Sequence, residues 1–421
     1  MTHFLPWHDY RESLTIREIF DLLLLMTTTC RTLSHVVRCF FAISDETARQ
    51  AILSQRPDSP TLTRGLVDAL HHAAEFSRRD RRRLWTVAID ENQIPFYGQR
   101  SAPGIQGGKH KQGTNYFYTY ATAALIHRRR RYVVGLIAVT ESMKPHQIVE
   151  ALLNQIRDRG LRVGGVVLES GFESGETLLL LQNRSLSYTV PLRRKGKGKN
   201  SRNALFDRPS GTIESYAWET RKPKKPVRTM VLVWKHRRTD AVKVFAFAGW
   251  SARESVAVQR RAWLARRRYR ERFGIETSYR QKNQGRAWTT SKNPTYRLLL
   301  EGLSYLVRQL WVTWTLKIAR HRGLSPKAWV GELMLVDLLE RIADAIKAEF
   351  RENDAKSPEN PKKITYSARW NYWYGIPLWG GRVLLPGRSG PVLAGGGIRN
   401  PEQESGKNPE SGVRSNPTGK S

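Results

Sequence analysis

A basic segment near residue 270 carries side chains whose types and spacing could do chemistry. It reads Arg268-Tyr-Arg-Glu-Arg-Phe-Gly-Ile-Glu-Thr-Ser-Tyr-Arg-Gln-Lys-Asn-Gln284 and has the pattern of a helix. On a 3.6-residue period, Tyr269, Arg272 and Glu276 project from one face. Such a face could hold a metal ion beside a phosphate. It also fits a solvated helix on which Arg272 and Glu276 form an ordinary ion pair.

Two further carboxylates end apolar runs with the pattern of strands. Asp90 closes Leu84–Asp90, and Glu169 closes Arg162–Glu169. Two carboxylates at neighbouring strand ends and one from a helix can bind two divalent cations, which activate a water or a 3′-hydroxyl in phosphoryl transfer. We therefore predict Asp90, Glu169 and Glu276 as the catalytic residues and metal ligands.

Composition indicates a folded protein with a polyanionic partner. The 421 residues are 40% hydrophobic and 10% aromatic, which is enough for a substantial core. There are 71 Lys and Arg residues against 37 Asp and Glu, so the formal net charge is +34. Such an excess favours nucleic acid, because binding releases counterions from the phosphate backbone.

Several other classes of protein do not fit. The only cysteines, Cys30 and Cys39, have no metal-ligand or disulfide spacing. The first residues lack the pattern of a secretory signal, and the apolar run Leu298–Leu316 carries Glu301 and Arg308, which favours a buried helix over a membrane span. We expect a cytoplasmic, nucleoid-associated protein with no membrane role.

The order of elements after residue 84 is that of an RNase H-like core. Three strand patterns are followed by a helix and another strand. These segments are Leu84–Asp90, Tyr116–Ile126, Tyr132–Val139, Pro145–Arg159 and Arg162–Glu169. The predicted fold class is α/β, with an RNase H-like mixed sheet flanked by helices and interrupted by a β-rich insertion.

Five regions are predicted along the chain. They are a helical N-terminal DNA-binding domain (1–80), the first part of the core (81–185), the β-rich insertion (186–252), the second part of the core (253–352) and a largely disordered basic tail (353–421). Short helices in the first region leave a helix-turn-helix open.

The chain resembles the DDE transposases of insertion sequences, which carry a Tyr-x2-Arg-x3-Glu-x6-Lys signature. Tyr269, Arg272 and Glu276 match its first three positions, and the segments Gly113–Thr122 and Gln284–Pro294 also resemble the family. The resemblance covers roughly residues 84–320.

This resemblance implies a two-metal site for Mg²⁺ or Mn²⁺. Asp90 would be the first ligand and Glu276 the third, while Arg272 would hold a DNA phosphate and Tyr269 would help to orient the DNA end or the neighbouring carboxylate. It also implies binding of transposon ends and target DNA, cleavage and strand transfer, and a homodimer on the DNA ends.

Further side chains are candidates for DNA contact. Arg280, Lys282 and Arg286 follow Glu276 in the sequence and could bind phosphates. The resemblance implies that a tryptophan of the insertion, such as Trp234, stacks on an unpaired base, whereas packing in the core is the alternative for any single tryptophan.

The sequence departs from the family pattern at two positions. The second ligand position, an Asp in the family, is Glu169, and the signature Lys is replaced by Asn283 with Lys282 beside it. Three explanations stay open: the backbone retracts to accept Glu169, Glu173 contributes instead, or the chain binds DNA without cleaving it. An RNase H-type nuclease is a further alternative.

Overall fold

The N-terminal region is built from helices. The computed structural model describes residues 4–10, 14–127, 131–197, 201–220, 224–236, 238–250, 257–324 and 334–356. The first helices are α1 (Ile16–Thr28), α2 (Leu33–Phe40), α3 (Asp45–Ser54), α4 (Ser59–Ala74) and α5 (Arg78–Arg82). Helix α1 begins in a capping box in which Thr15 and Glu18 satisfy each other's backbone N–H groups. Helices lie where the apolar periodicity predicts them, while the domain boundary and the DNA-binding role stay predictions.

One mixed sheet contains the nine strands of the described part of the chain. They are β1 (Leu84–Pro95), β2 (Gln106–Lys111), β3 (Thr114–Leu125), β4 (Val133–Val139), β5 (Arg162–Leu168), β6 (Ser187–Leu192), β7 (Ile213–Glu219), β8 (Pro226–Lys235) and β9 (Val242–Ala248). The order is β2-β3-β1-β5-β6-β9-β8-β7. Strand β4 also pairs with β3, along a part of β3 that follows the part paired with β2.

The first six strands contain the RNase H-like core. Strands β1, β3 and β4 pair antiparallel, whereas β5 pairs in parallel with β1 and β6 in parallel with β5. The parallel connections run through α6 (Pro145–Asp158) and α7 (Gly175–Asn183). The predicted mixed sheet flanked by helices is confirmed.

Two strands differ from what the sequence indicates. Strand β2 lacks apolar alternation and was not predicted; it forms at the edge by pairing with the start of β3. Strand β6 lies in the segment assigned to the insertion, but it pairs with β5 and carries β9, β8 and β7 as an antiparallel extension of the same sheet. The boundaries of the insertion stay a prediction.

Helices of the second half cover the sheet and the N-terminal helices. They are α8 (Arg202–Leu205), α9 (Val258–Glu271), α10 (Phe273–Lys282), α11 (Pro294–His321) and α12 (Leu335–Lys356). Helices α9 and α10 are nearly continuous, because Arg272 between them keeps helical backbone angles and its carbonyl accepts from the Ile275 N–H at 2.8 Å. Helix α11 packs on α4.

No helix in the described ranges is long and apolar enough to cross a membrane. Helix α11, which contains the apolar run of the sequence, buries Glu301 and Arg308 within the protein. The predicted disordered tail lies outside the described residues after position 356.

Histidine 71 on α4 makes folding stability depend on pH. Its Nε2 lies 2.8 Å from the Val134 carbonyl oxygen of β4, to which the neutral ring donates. Burial lowers the pKa of His71 to about 4, whereas the unfolded chain takes up this proton near pH 6.5. Stability is therefore present above pH 6.5 and is lost as the pH falls towards 4, by about 3 kcal/mol.

We expect His71→Gln to flatten this part of the stability profile, because the amide retains a donor for Val134 and takes up no proton. Urea unfolding at several pH values between 7 and 4 measures the effect. His72→Gln, an exposed change on the same helix, is the control. Equal loss of stability in wild type and His71→Gln would contradict the assignment.

Candidate metal centre

The sheet places Asp90 and Glu169 side by side. Strands β1 and β5 are parallel, and Ile89 pairs with Leu168 in their register. Asp90 is the next residue of β1, which continues to Pro95, and Glu169 directly follows the last residue of β5, so the two lie side by side where β5 ends. This geometry follows from the pairing of strands that lie almost eighty residues apart in the chain.

Helix α10 brings the third carboxylate close to Asp90 and Glu169. The carboxylates of Asp90, Glu169 and Glu276 offer oxygen atoms that all lie within 4.8 Å of one another. The Tyr279 hydroxyl of the same helix lies 2.7 Å from the Thr122 hydroxyl, and Thr122 is the β3 residue directly opposite Asp90. This contact ties α10 to the strands that carry the centre, and no local pattern of residues predicts it.

Arg272 lies at the middle of the three carboxylates. Its Nη1 is 3.1 Å from Asp90 Oδ2 and 2.9 Å from Glu169 Oε1, and its Nη2 is 2.8 Å from Glu276 Oε1. Only 4% of the Arg272 side chain is exposed. The planar fork thus supplies the positive charge that three converging carboxylates need.

Burial differs among the three acids. The Asp90 side chain is 4% exposed, whereas Glu169 and Glu276 are 41% and 36% exposed. Burial raises the pKa of Asp90, and the nearby charge of Glu169 raises it further. A cation at this centre stabilises the ionised form of Asp90.

The donor set fits a divalent cation such as Mg²⁺ or Mn²⁺. Carboxylate oxygens are hard ligands, and three of them converge from rigid elements. Asp90, Glu169 and Glu276 would hold the ion, in competition with the Arg272 guanidinium. The Glu169 side chain is therefore long enough to bring its carboxylate into the cluster.

Glu173 has other partners. Its carboxylate accepts from the Arg193 backbone N–H at 2.6 Å and pairs with Arg202 at 2.9 Å. The side chain is 8% exposed and lies outside the acidic cluster. It does not replace Glu169 in this structure.

Residues 81–297 match the family described as transposase DDE domain. The match spans just over half of the chain. This chain belongs to the DDE transposase family. A piggyBac transposase synaptic complex with hairpin DNA, solved by cryo-EM, has a similar fold: the TM-score is 0.53 at 12% identity, over 84% of this chain and 74% of that one. No curated protein matches the sequence.

Tyr269 of this transposase has a buried position beside the centre. It is 9% exposed, packs against Phe245 with ring centroids 4.9 Å apart, and lies 5.4 Å from the Arg272 guanidinium carbon. The three signature side chains therefore do share one face. The Tyr269 ring thus contacts both the Arg272 guanidinium and Phe245 of strand β9.

Lys282 differs from its predicted role as a DNA contact. Its side chain is fully buried and pairs with Glu301 of α11, which also accepts from the Asn92 amide of β1 at 3.0 Å. Burial lowers the pKa of Lys282. Because the ammonium is enclosed, this residue joins α10 to α11 and β1 and has no surface for a phosphate.

The other predicted DNA contacts lie nearer to solvent. Arg280 is exposed and Arg286 is half-buried. Trp234 is half-buried, and the Arg266 guanidinium lies 3.5 Å from its ring centroid. These three residues stay predictions as DNA contacts.

Proposed function

We propose that the chain binds the terminal inverted repeats of an insertion sequence and catalyses metal-dependent DNA cleavage and strand transfer. The observation that carries the proposal is the convergence of Asp90, Glu169 and Glu276 at the point where β5 ends beside β1, in a member of the DDE family. A divalent ion bound there would activate a water or a 3′-hydroxyl and stabilise the leaving oxygen.

The side chains around the centre have distinct proposed roles. Arg272 holds the three carboxylates together before a cation binds, and its fork is then free to grip a phosphate of the DNA end. Arg280 and Arg286 bind neighbouring phosphates, since they follow Glu276 on the same helix or just after it. Trp234, already stacked by Arg266, offers a surface for an unpaired base.

The proposed partners are transposon ends and target DNA, with the helical residues 1–80 as a DNA-binding domain. The high positive charge supports this assignment. A homodimer would hold two ends together, and we place the protein at the nucleoid of the cytoplasm.

A second candidate is a protein that binds the same ends without cutting them. It is favoured by the presence of Glu169 where the family pattern has an Asp, and by Arg272, which offsets part of the negative charge of the three carboxylates without a metal ion. Such a protein would bind DNA with strong salt dependence and could repress active copies of the element.

Nicking of labelled element ends in Mg²⁺ or Mn²⁺ separates the two candidates. We expect the wild type to nick. Glu169→Asp should lower the nicking rate by on the order of 10²-fold, because displacement of a ligand by about 1 Å disturbs a preorganised site. End binding without metal, measured in parallel, shows that each protein is folded.

Nicking by Glu169→Asp alone would identify the wild type as an inactivated enzyme. Absence of nicking by both proteins, with end binding intact, would rule out the transposase chemistry and leave the binding protein.

A further inference from the structure

A basic cavity lies beside helix α10, and the three carboxylates of the metal centre do not line it. A cavity of ≈ 1350 Å³ is lined there by Leu84, Trp85, Thr86 and Ala88 of β1 and by Gly274 and Ile275 of α10. Arg272 and Glu276, which lie on either side of Gly274 and Ile275 in the sequence, pair with each other at the carboxylate centre and do not line the cavity. Because a strand rises about 3.3 Å per residue, the lining residues of β1 lie between roughly 7 Å (Ala88) and roughly 20 Å (Leu84) along the strand from Asp90.

Cationic side chains dominate the lining. Four segments contribute them: α5 with the residue after it, the segment before β4, the end of α9 and the end of α11. The residues are Arg79, Arg82, Arg83, Arg131, Arg267, Arg268, Lys317 and Arg320.

The three acidic residues of the lining already have partners. Glu75 pairs with Lys317 at 2.6 Å, Glu271 pairs with Arg268 at 2.8 Å, and the Asp80 carboxylate accepts from the Ser77 hydroxyl at 2.7 Å. These contacts leave an excess of positive charge. The cavity therefore attracts anions.

Three of the cations are placed to meet a ligand from solvent. Arg79, Arg82 and Arg320 are exposed, and none forms an ion pair with an acidic residue in the described ranges of the chain. Arg79 and Arg82 lie on α5, while Arg320 lies in the last turn of α11. The charges thus approach the cavity from separate elements.

Size and charge distribution indicate the kind of anion. The cavity is larger than the roughly 300–1,000 Å³ of a typical small-ligand pocket. Its cations come from four separate segments of the chain. A chain of phosphates spaced along a polymer satisfies both conditions.

We propose that this cavity binds the sugar-phosphate backbone of a DNA strand, at a site separate from the carboxylate centre. The proposal rests on the proposed action of the chain on DNA and adds a place where DNA outside the reacting bond is held. Arginine suits such contacts because its fork donates two hydrogen bonds to a phosphate.

The lining includes helix α10, which carries Glu276 and directly follows Arg272. A Cβ on Gly274 would lie 2.6 Å from Arg131 Nε, so the absence of a side chain there lets Arg131 lie against α10. Arg131 also holds Arg308 through its carbonyl, which accepts from Arg308 Nη1 at 2.6 Å. DNA in the cavity would therefore lie directly against the helix of the metal centre.

Salt-dependent binding of a fluorescein-labelled duplex of arbitrary sequence tests the proposal. Full-length wild type is compared with the combined change Arg79→Ala, Arg82→Ala and Arg320→Ala by anisotropy in metal-free buffer. The plot of log affinity against log salt should become shallower by about 0.9 for each arginine that neutralises a phosphate, or roughly 2–3 in total. Arg157→Ala, an exposed change on α6 outside the lining, should retain the wild-type slope.

Plasmid nicking in Mn²⁺ is measured on the same proteins, so that the two proposals can fail separately. A shallower slope with no nicking by the wild type would support the cavity and contradict the proposed enzyme. Nicking with an unchanged slope in the triple variant would overturn the cavity proposal. Stoichiometric binding of inorganic triphosphate, lost in the triple variant while the salt slope for DNA stays at the wild-type value, would assign the cavity to a small anion and also overturn it.

Discussion

Asp90→Asn is expected to abolish metal-dependent nicking, by at least about 10³-fold, while the protein stays folded and binds DNA. Asp90 is the most buried of the three carboxylates and contacts Arg272 directly. An amide carries no negative charge and is a weaker ligand for a divalent ion. Arg272 retains Glu169 and Glu276 as partners, so the variant loses only one of its three ion pairs.

Nicking of a supercoiled plasmid in Mn²⁺ measures the rate, and anisotropy without metal measures DNA affinity. Asp158→Asn, an exposed acidic residue on α6, is the matched control and should nick as the wild type does. Nicking by Asp90→Asn within a few-fold of the wild-type rate would show that the carboxylate cluster is not the reaction centre.

The second large effect is expected on stability, from Arg272→Gln. Removal of the guanidinium leaves three carboxylates close together without a countercharge. Loss of one partner of a buried pair costs about 3–5 kcal/mol, and here we expect about 2–3 kcal/mol because Glu169 and Glu276 are partly exposed. The free energy of unfolding in metal-free buffer measures this loss.

Metal should compensate for the missing arginine. Mn²⁺ no longer competes with the guanidinium in Arg272→Gln, so the gain in melting temperature on adding Mn²⁺ should exceed that of the wild type. Arg270→Gln, an exposed change two residues earlier, serves as the control. Equal melting temperatures of Arg272→Gln and wild type in chelator, or an equal gain with metal, would contradict this role of Arg272.

The local patterns of the sequence were sufficient for the core strands and the site carboxylates. Apolar runs ending in Asp90 and Glu169 predicted strands, and both strands form. Glu169 directly follows β5 as expected, whereas β1 continues past Asp90 to Pro95. The spacing of Tyr269, Arg272 and Glu276 predicted one helical face, which the structure confirms. These features depend on periodicity and on residue type within about ten positions, which a sequence displays directly.

Lys282 shows where local patterns fail. A lysine in a basic segment with the signature spacing nearly satisfied looked like a phosphate contact, but it pairs with Glu301, nineteen residues later in the chain. Nothing in the spacing of the two residues shows that α10 and α11 meet there. The same holds for Tyr279 and Thr122, whose hydroxyl contact joins segments 157 residues apart.

The sequence by itself determined the class of fold, the three carboxylates and the preference for a polyanionic partner, because each depends on composition or on short-range periodicity. Tertiary structure alone decided that Arg272 bridges all three acids, that Glu173 pairs elsewhere, and that arginines of four distant elements surround one cavity. The physical reason is that charge pairing and burial depend on distances in space, which the parallel pairing of β1 with β5 and the packing of α10 on the sheet establish.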